Sequence, residues 1–100
     1  MHIIMGQEIR FLQNNVATKA AYMVTCLEIG LELGTDFILS QEPYIRDSST
    51  ISHPSYNVIL PETSLRPRVA IFHRKLSQFQ FCQRNDLSSS DLLVIDILGS

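Results

Sequence analysis

The stretch Phe37-Ile38-Leu39-Ser40-Gln41-Glu42-Pro43-Tyr44 decides how this chain is read, because an apolar run stops abruptly at one carboxylate followed by proline. Apolar and aromatic residues bounded by turn chemistry mark a strand. A rigid strand that brings one Glu to its C-terminal end fixes that carboxylate in space. Many α/β enzymes mount a metal ligand or a general base in this way. The alternative is an ordinary exposed loop carboxylate, and the flanking sequence has to separate the two.

Upstream, Ile9-Arg10-Phe11-Leu12-Gln13 reads as a short first strand, halted by Asn14-Asn15, whose side chains favour turns and caps. Next, Ala17, Ala20, Val24, Leu27 and Leu31 recur at helical spacing and form one stripe, with Thr18, Tyr22, Thr25, Glu28 and Glu32 off it. The pattern predicts a helix from about Val16 to Leu33, ended by Gly34 in a left-handed conformation. Gly30 inside it costs about 1 kcal/mol relative to alanine. Residues 9 to 42 therefore form a strand–helix–strand unit with parallel neighbours. That topology puts Asn15 and Glu42 at the same edge of the sheet, beyond the C-terminal ends of their strands. The plainer reading makes Asn15 a helix cap and Glu42 a solvated carboxylate.

Downstream, 45–54 is loop-like, and His53 before Pro54 is either a proton-transfer group or a bystander in a polar loop. Tyr56-Asn57-Val58-Ile59-Leu60 is a short strand stopped by Pro61. Pro67 opens a longer one, Arg68-Val69-Ala70-Ile71-Phe72-His73-Arg74. Alternation puts Arg68, Ala70, Phe72 and Arg74 on one face and Val69, Ile71, His73 and Lys75 on the other. Gln78 to Gln83 is expected to be the neighbour of that strand, and Leu92 to Ile97 to lie inside a sheet. Arg66, Arg68, Arg74 and Lys75 form either a positive patch able to contact phosphate or charged strand ends wetted by solvent.

A chain of 100 residues suits one small domain that buries about 60–70% of its unfolded surface. Its charged content of 18% is low for a soluble domain, which points to surfaces that are covered. The net charge of −2 argues against gripping nucleic acid by bulk electrostatics, though a local patch can still do so. Cys26 and Cys82 belong to no CxxC pair and are expected to be free, buried thiols. No secretory signal or membrane-length apolar run is visible, so an intracellular location, nuclear or cytoplasmic, is expected. There is no glycine-rich phosphate loop and no zinc-type spacing.

The order of motifs carries a resemblance. Leu12-Gln13-Asn14-Asn15 after a first strand, one helix, then Gln41-Glu42-Pro43-Tyr44 resembles the opening of the endonuclease/exonuclease/phosphatase superfamily. It is most similar to the endonuclease domain of fungal non-LTR retrotransposons, which Ser52-His53-Pro54-Ser55-Tyr56 and Arg66-Pro67-Arg68-Val69 also resemble. The likeness spans roughly residues 9 to 97, after a 1–8 N-terminal extension, and 9–100 would form the N-terminal half of such a domain.

The resemblance implies a partial α/β sandwich of the endonuclease/exonuclease/phosphatase type. This would be about one sheet plus its covering helix, a β-α-β unit followed by a mainly antiparallel β run. It implies Mg²⁺-dependent (or Mn²⁺-dependent) phosphodiester hydrolysis on DNA, nicking a target to prime reverse transcription. Glu42 would be the metal ligand, and Asn15 would orient the aspartate that activates water. Its partners would be DNA, the remaining half of the domain and a reverse transcriptase. The family's Asp-x-Asn pair, catalytic Tyr and Ser-Asp-His do not occur in these residues, so the resemblance implies an incomplete site without a base. A bare sheet face, with Ile71 and Val94 on it, and self-association through that face are also expected. The alternatives are a non-catalytic remnant or interaction module, and another phosphoesterase of the same superfamily.

Overall fold

The structure, a computed structural model, describes residues 2–5, 9–62 and 66–98. Its elements are β1 (His2–Met5), β2 (Arg10–Asn15), α1 (Ala20–Glu32), β3 (Phe37–Gln41), β4 (Tyr56–Ile59), β5 (Val69–Arg74), β6 (Gln80–Gln83), a 3₁₀ turn (Asn85–Leu87) and β7 (Ile95–Leu98). Five strands form a mixed sheet in the order β1-β2-β3-β5-β4, and β6 and β7 form a separate antiparallel pair. The result is an α/β domain.

The strand–helix–strand unit is present as read, with β2 and β3 parallel and Asn15 opposite Gln41. All other pairings are antiparallel. The residues taken as an extension include a strand, since His2–Met5 pairs with Arg10–Gln13 of β2. Met1 and 6–8 lie outside the described residues.

Alternation along β5 sorts the core into two layers, as its sequence indicates. Ala70 and Phe72 meet Leu12, Val16, Met23, Leu27, Ile38 and Tyr56 on the helix side. Ile71 meets Phe37, Ile59 and Phe79 on the other. The second face is therefore not bare. Ile71 is only 7% exposed, and Phe81, Leu93, Ile95 and Ile97 pack over that cluster. Here β6 is not a neighbour of β5 but a partner of β7, and the two strands cover the sheet instead of extending it. For the same reason β7 is not interior to a sheet; its residues alternate between half-buried and exposed.

The helix starts four residues later than its apolar pattern suggests. Val16 is buried as a continuation of β2, and Ala17 and Thr18 adopt left-handed backbone at φ 52° and 59°, which no helix tolerates. Its buried residues are Met23, Cys26, Leu27 and Gly30, while Val24 is exposed. The helix thus presents a face rotated from the expected stripe. At the C-terminus Gly34 has φ +65°, the left-handed end expected of it. Cys26 is buried as expected, and burial pushes its thiol pKa up. Cys82 is exposed, because β6 turns that side of its alternation to solvent.

Two polar anchors join these layers. Asp36, buried before β3, accepts hydrogen bonds from Arg10 N–H (2.9 Å), Arg74 Nη2 (3.1 Å) and Ser77 Oγ (2.7 Å). His73, also buried, bonds through Nε2 to Phe79 O at 2.6 Å and through Nδ1 to Asn57 Nδ2 at 3.2 Å. A carbonyl can only accept, so Nε2 carries the proton and Nδ1 accepts from Asn57. The imidazole also lies 5.0 Å from the rings of Phe37 and Phe81. His73 is therefore a packing and bridging residue between the layers.

Candidate functional site

Glu42 follows β3 directly and is exposed. Its backbone is held on both sides: its N–H donates to Arg68 O (3.0 Å) and its carbonyl accepts from Thr18 N–H (2.9 Å). It sits at φ 49°, a left-handed conformation that costs a non-glycine residue about 1–2 kcal/mol. A strained residue pinned by its neighbours is what functional corners tend to contain. Replacing Glu42 by glycine is therefore expected to raise stability by about 1 kcal/mol, read as a higher denaturation midpoint. A fall in the midpoint would mean that the Glu42 side chain stabilises the fold.

Asn15 ends β2 and is exposed. Its Oδ1 accepts from Ala17 N–H at 2.9 Å, an Asx turn that sets the chain leaving the sheet. Asn15 is not the helix cap, since that position belongs to Lys19, which makes no side-chain capping bond. With Oδ1 engaged in the turn, the NH₂ group is left to donate. The preceding Asn14 is buried, and its side-chain amide stands beside the Cys26 thiol, whose weak sulfur partner is a poor substitute for an oxygen or nitrogen one.

Asn15 and Glu42 line one shallow pocket of about 290 Å³ together with Gln41, Arg68, Val69 and Asp91. Arg68 pairs with Asp91 at 3.5 Å, both side chains being two-thirds exposed, and its N–H donates to Ser90 O at 2.7 Å. A larger pocket of about 670 Å³ adjoins, sharing Glu42 and Arg68 and lined also by Thr18, Pro43, Tyr44, Ser48 and Arg66. Convergence of Asn15 and Glu42 follows from the parallel register. That Asp91 and the 47–48 turn reach this edge carries no signal in the sequence, because loops from elsewhere in the chain bring them there.

The four cations do not form one patch. Arg66 and Arg68 border the larger pocket, but Arg74 lies at the far end of β5, roughly 20 Å away at strand rise. There it binds Thr35 O (2.9 Å) and Asp36 (3.1 Å). Lys75 is exposed at that same far end. His53 stands apart from the Asn15–Glu42 pocket. Its Nδ1 accepts from Ser55 N–H (3.0 Å), so its Nε2–H donates to Glu28 (2.9 Å), fastening the loop to α1.

No group of three or more His, Cys, Asp or Glu side chains able to hold a metal is found among the described residues. No helix among them is long and apolar enough to cross a membrane. No protein-family model matches the chain, and no curated protein matches it.

Proposed function

We propose that this chain contributes one half of a Mg²⁺-dependent phosphodiester-cleaving site that acts on DNA. In this reading it is the N-terminal half of an endonuclease/exonuclease/phosphatase-type sandwich, of the non-LTR retrotransposon kind. The remainder of the site and a reverse transcriptase would lie in the parent protein. The observation that carries the proposal is the shared pocket of Asn15 and Glu42 at the C-terminal ends of adjacent parallel strands, with Arg68 beside them.

The donor set suits magnesium as this ion is usually held. Mg²⁺ keeps most of its waters and needs only one or two carboxylates. Glu42 supplies an exposed carboxylate with no ion pair or hydrogen-bond partner among the described residues. When bound, the ion stabilises charge developing on phosphoryl oxygens. The protein's own residues do the rest: Glu42 holds its position through its pinned backbone, the Asn15 NH₂ orients an acceptor without adding charge, and Arg68 attracts the phosphate. Neither His53 nor His73 is placed to be a base, because both have structural partners.

One other reading is a phosphate-binding module without turnover, favoured by Arg68, whose largely exposed guanidinium borders the same pocket. A nicking assay on supercoiled plasmid separates the readings from a complete enzyme. The proposal expects DNA binding that strengthens with Mg²⁺ and weakens in Glu42→Gln, with no nicking by either protein. Binding that ignores both Mg²⁺ and Glu42 would contradict it. Nicking that Glu42→Gln abolishes would overturn the claim that the site is incomplete.

A further inference from the structure

The larger pocket has a composition that the metal-site reading does not use. Tyr44 lines it together with Pro43 and Pro67, both of which are buried, so one wall is apolar and rigid. Arg66 and Arg68 supply cationic lining, and Ser48 a hydroxyl. Tyr44 also packs against the core cluster on the helix side, which keeps its ring from swinging freely.

The opposite wall is pre-shaped as well. Arg46 and Ser49 exchange backbone hydrogen bonds of 2.7 and 3.0 Å, and Asp47 and Ser48 between them have φ 53° and 65°. Two left-handed residues between a bonded pair make a tight turn of the type I′ kind. Thr50 Oγ1 then donates to Tyr44 O at 2.6 Å, tying that turn to the aromatic residue. With Thr18 and Glu42 also left-handed, four strained residues border a single cavity. Strain of this kind persists where surrounding structure fixes it, and it gathers at ligand clamps. The volume of about 670 Å³ lies within the range of small-molecule sites.

We propose that this pocket receives an unpaired nucleobase stacked on Tyr44, with the adjoining phosphate toward Arg68 and the Asn15–Glu42 edge. The inference rests on the phosphodiester reading of that edge and adds to it a preference for single-stranded or locally opened nucleic acid. A fixed aromatic beside cationic side chains is the combination that holds unpaired nucleotides, because every base has a π-face and every linkage a charge. Duplex DNA keeps its bases stacked inside and has none to offer such a pocket. Ser48 and Asp47 give the base edge a hydroxyl and a carboxylate to meet.

The test compares a fluorescein-labelled single-stranded DNA of about eight nucleotides, within the usual span of such sites, with an abasic strand of the same length and charge. Fluorescence anisotropy should show the base-containing strand binding at least about five-fold more tightly, the lower end of a base–aromatic stack. Tyr44→Phe should keep that ratio. Tyr44→Leu, which preserves apolar packing against the core, should bring it to about one while leaving abasic binding unchanged. Equal binding of the two strands by the unaltered protein, or a ratio that survives in Tyr44→Leu, would overturn the inference. The Glu42→Gln protein separates the two proposals. It should lose the Mg²⁺ dependence and keep the base preference, so a base preference without Mg²⁺ dependence in the unaltered protein would sink the metal site alone.

Discussion

Replacing Asp36 by alanine is expected to remove about 3–5 kcal/mol of stability, a large share of the roughly 5–15 kcal/mol a domain of this size possesses. The carboxylate is buried and accepts from Arg10 N–H, Arg74 Nη2 and Ser77 Oγ. Ser77 Oγ in turn accepts from Phe79 N–H at 3.0 Å, so a chain of hydrogen bonds runs from the sheet to the residue that covers its second face. Alanine leaves the Arg74 guanidinium, 25% exposed, with Thr35 O but no counter-charge. It also leaves Ser77 without its acceptor. Truncating one partner of such a pair costs more than the pair contributes, because the other charge stays desolvated. A thermal melt followed by circular dichroism should show Tm lower by roughly 15–30 °C. A fall of only a few degrees would show that Arg74 finds water easily and that the layers are joined by apolar packing alone.

Gly30→Ala is expected to destabilise by about 1–3 kcal/mol, the usual range for overfilling a packed site. At an exposed helical position the same change would stabilise by up to about 1 kcal/mol. The sign is reversed by what stands opposite. A Cβ at Gly30 would come within 2.5 Å of Ile38 Cδ1, 2.8 Å of the Tyr56 hydroxyl and 3.0 Å of Thr35 Oγ1. All three side chains are buried. Two are also tethered: Thr35 Oγ1 donates to Gly30 O at 3.0 Å, and the Tyr56 hydroxyl to Leu27 O at 2.9 Å. Burial pushes the Tyr56 phenol pKa up to about 12, as expected of a hydroxyl shut away from water. None of the three can retreat without giving up a hydrogen bond or opening the core. A denaturation midpoint that rises in Gly30→Ala would mean that α1 rests further from β3 than described.

What could be read from the sequence divides along a physical line. The β2-α1-β3 unit, the two faces of β5 and the Glu42 corner were legible because each depends on local periodicity, or on a single abrupt change from apolar to polar. Asn15 and Glu42 meet because parallel strands place their C-terminal ends together, a rule of topology that sequence order alone invokes. The start of α1 was not legible, since Val16 is as apolar as a helix residue and Lys19 gives no capping signature. The buried stripe was misread because Met23 and Cys26 carry the packing where Ala20 and Val24 continue the simpler pattern. The partner of β6 was hidden for a different reason. Four residues alternating between exposed and half-buried fit an edge of the main sheet as well as they fit a hairpin lying on it. The anchoring role of Asp36 was not legible either, since its partners Arg10, Arg74 and Ser77 stand 26, 38 and 41 positions away. The same holds for Asp91 beside Arg68, and for the 46–49 turn that walls the larger pocket. Long-range charge pairing and loop placement leave no periodic trace.

The reading of the Asn15–Glu42 edge as a metal and phosphate site stands on where a divalent cation settles. Titrating isotopically labelled protein with Mn²⁺ and following the loss of amide NMR signals locates it directly. Broadening should centre on Gln41 and Glu42, reach the amides of Asn15 to Ala17 and of Arg68, be removed by excess Mg²⁺ and be absent in Glu42→Gln. Broadening centred elsewhere, or unchanged in Glu42→Gln, would contradict it.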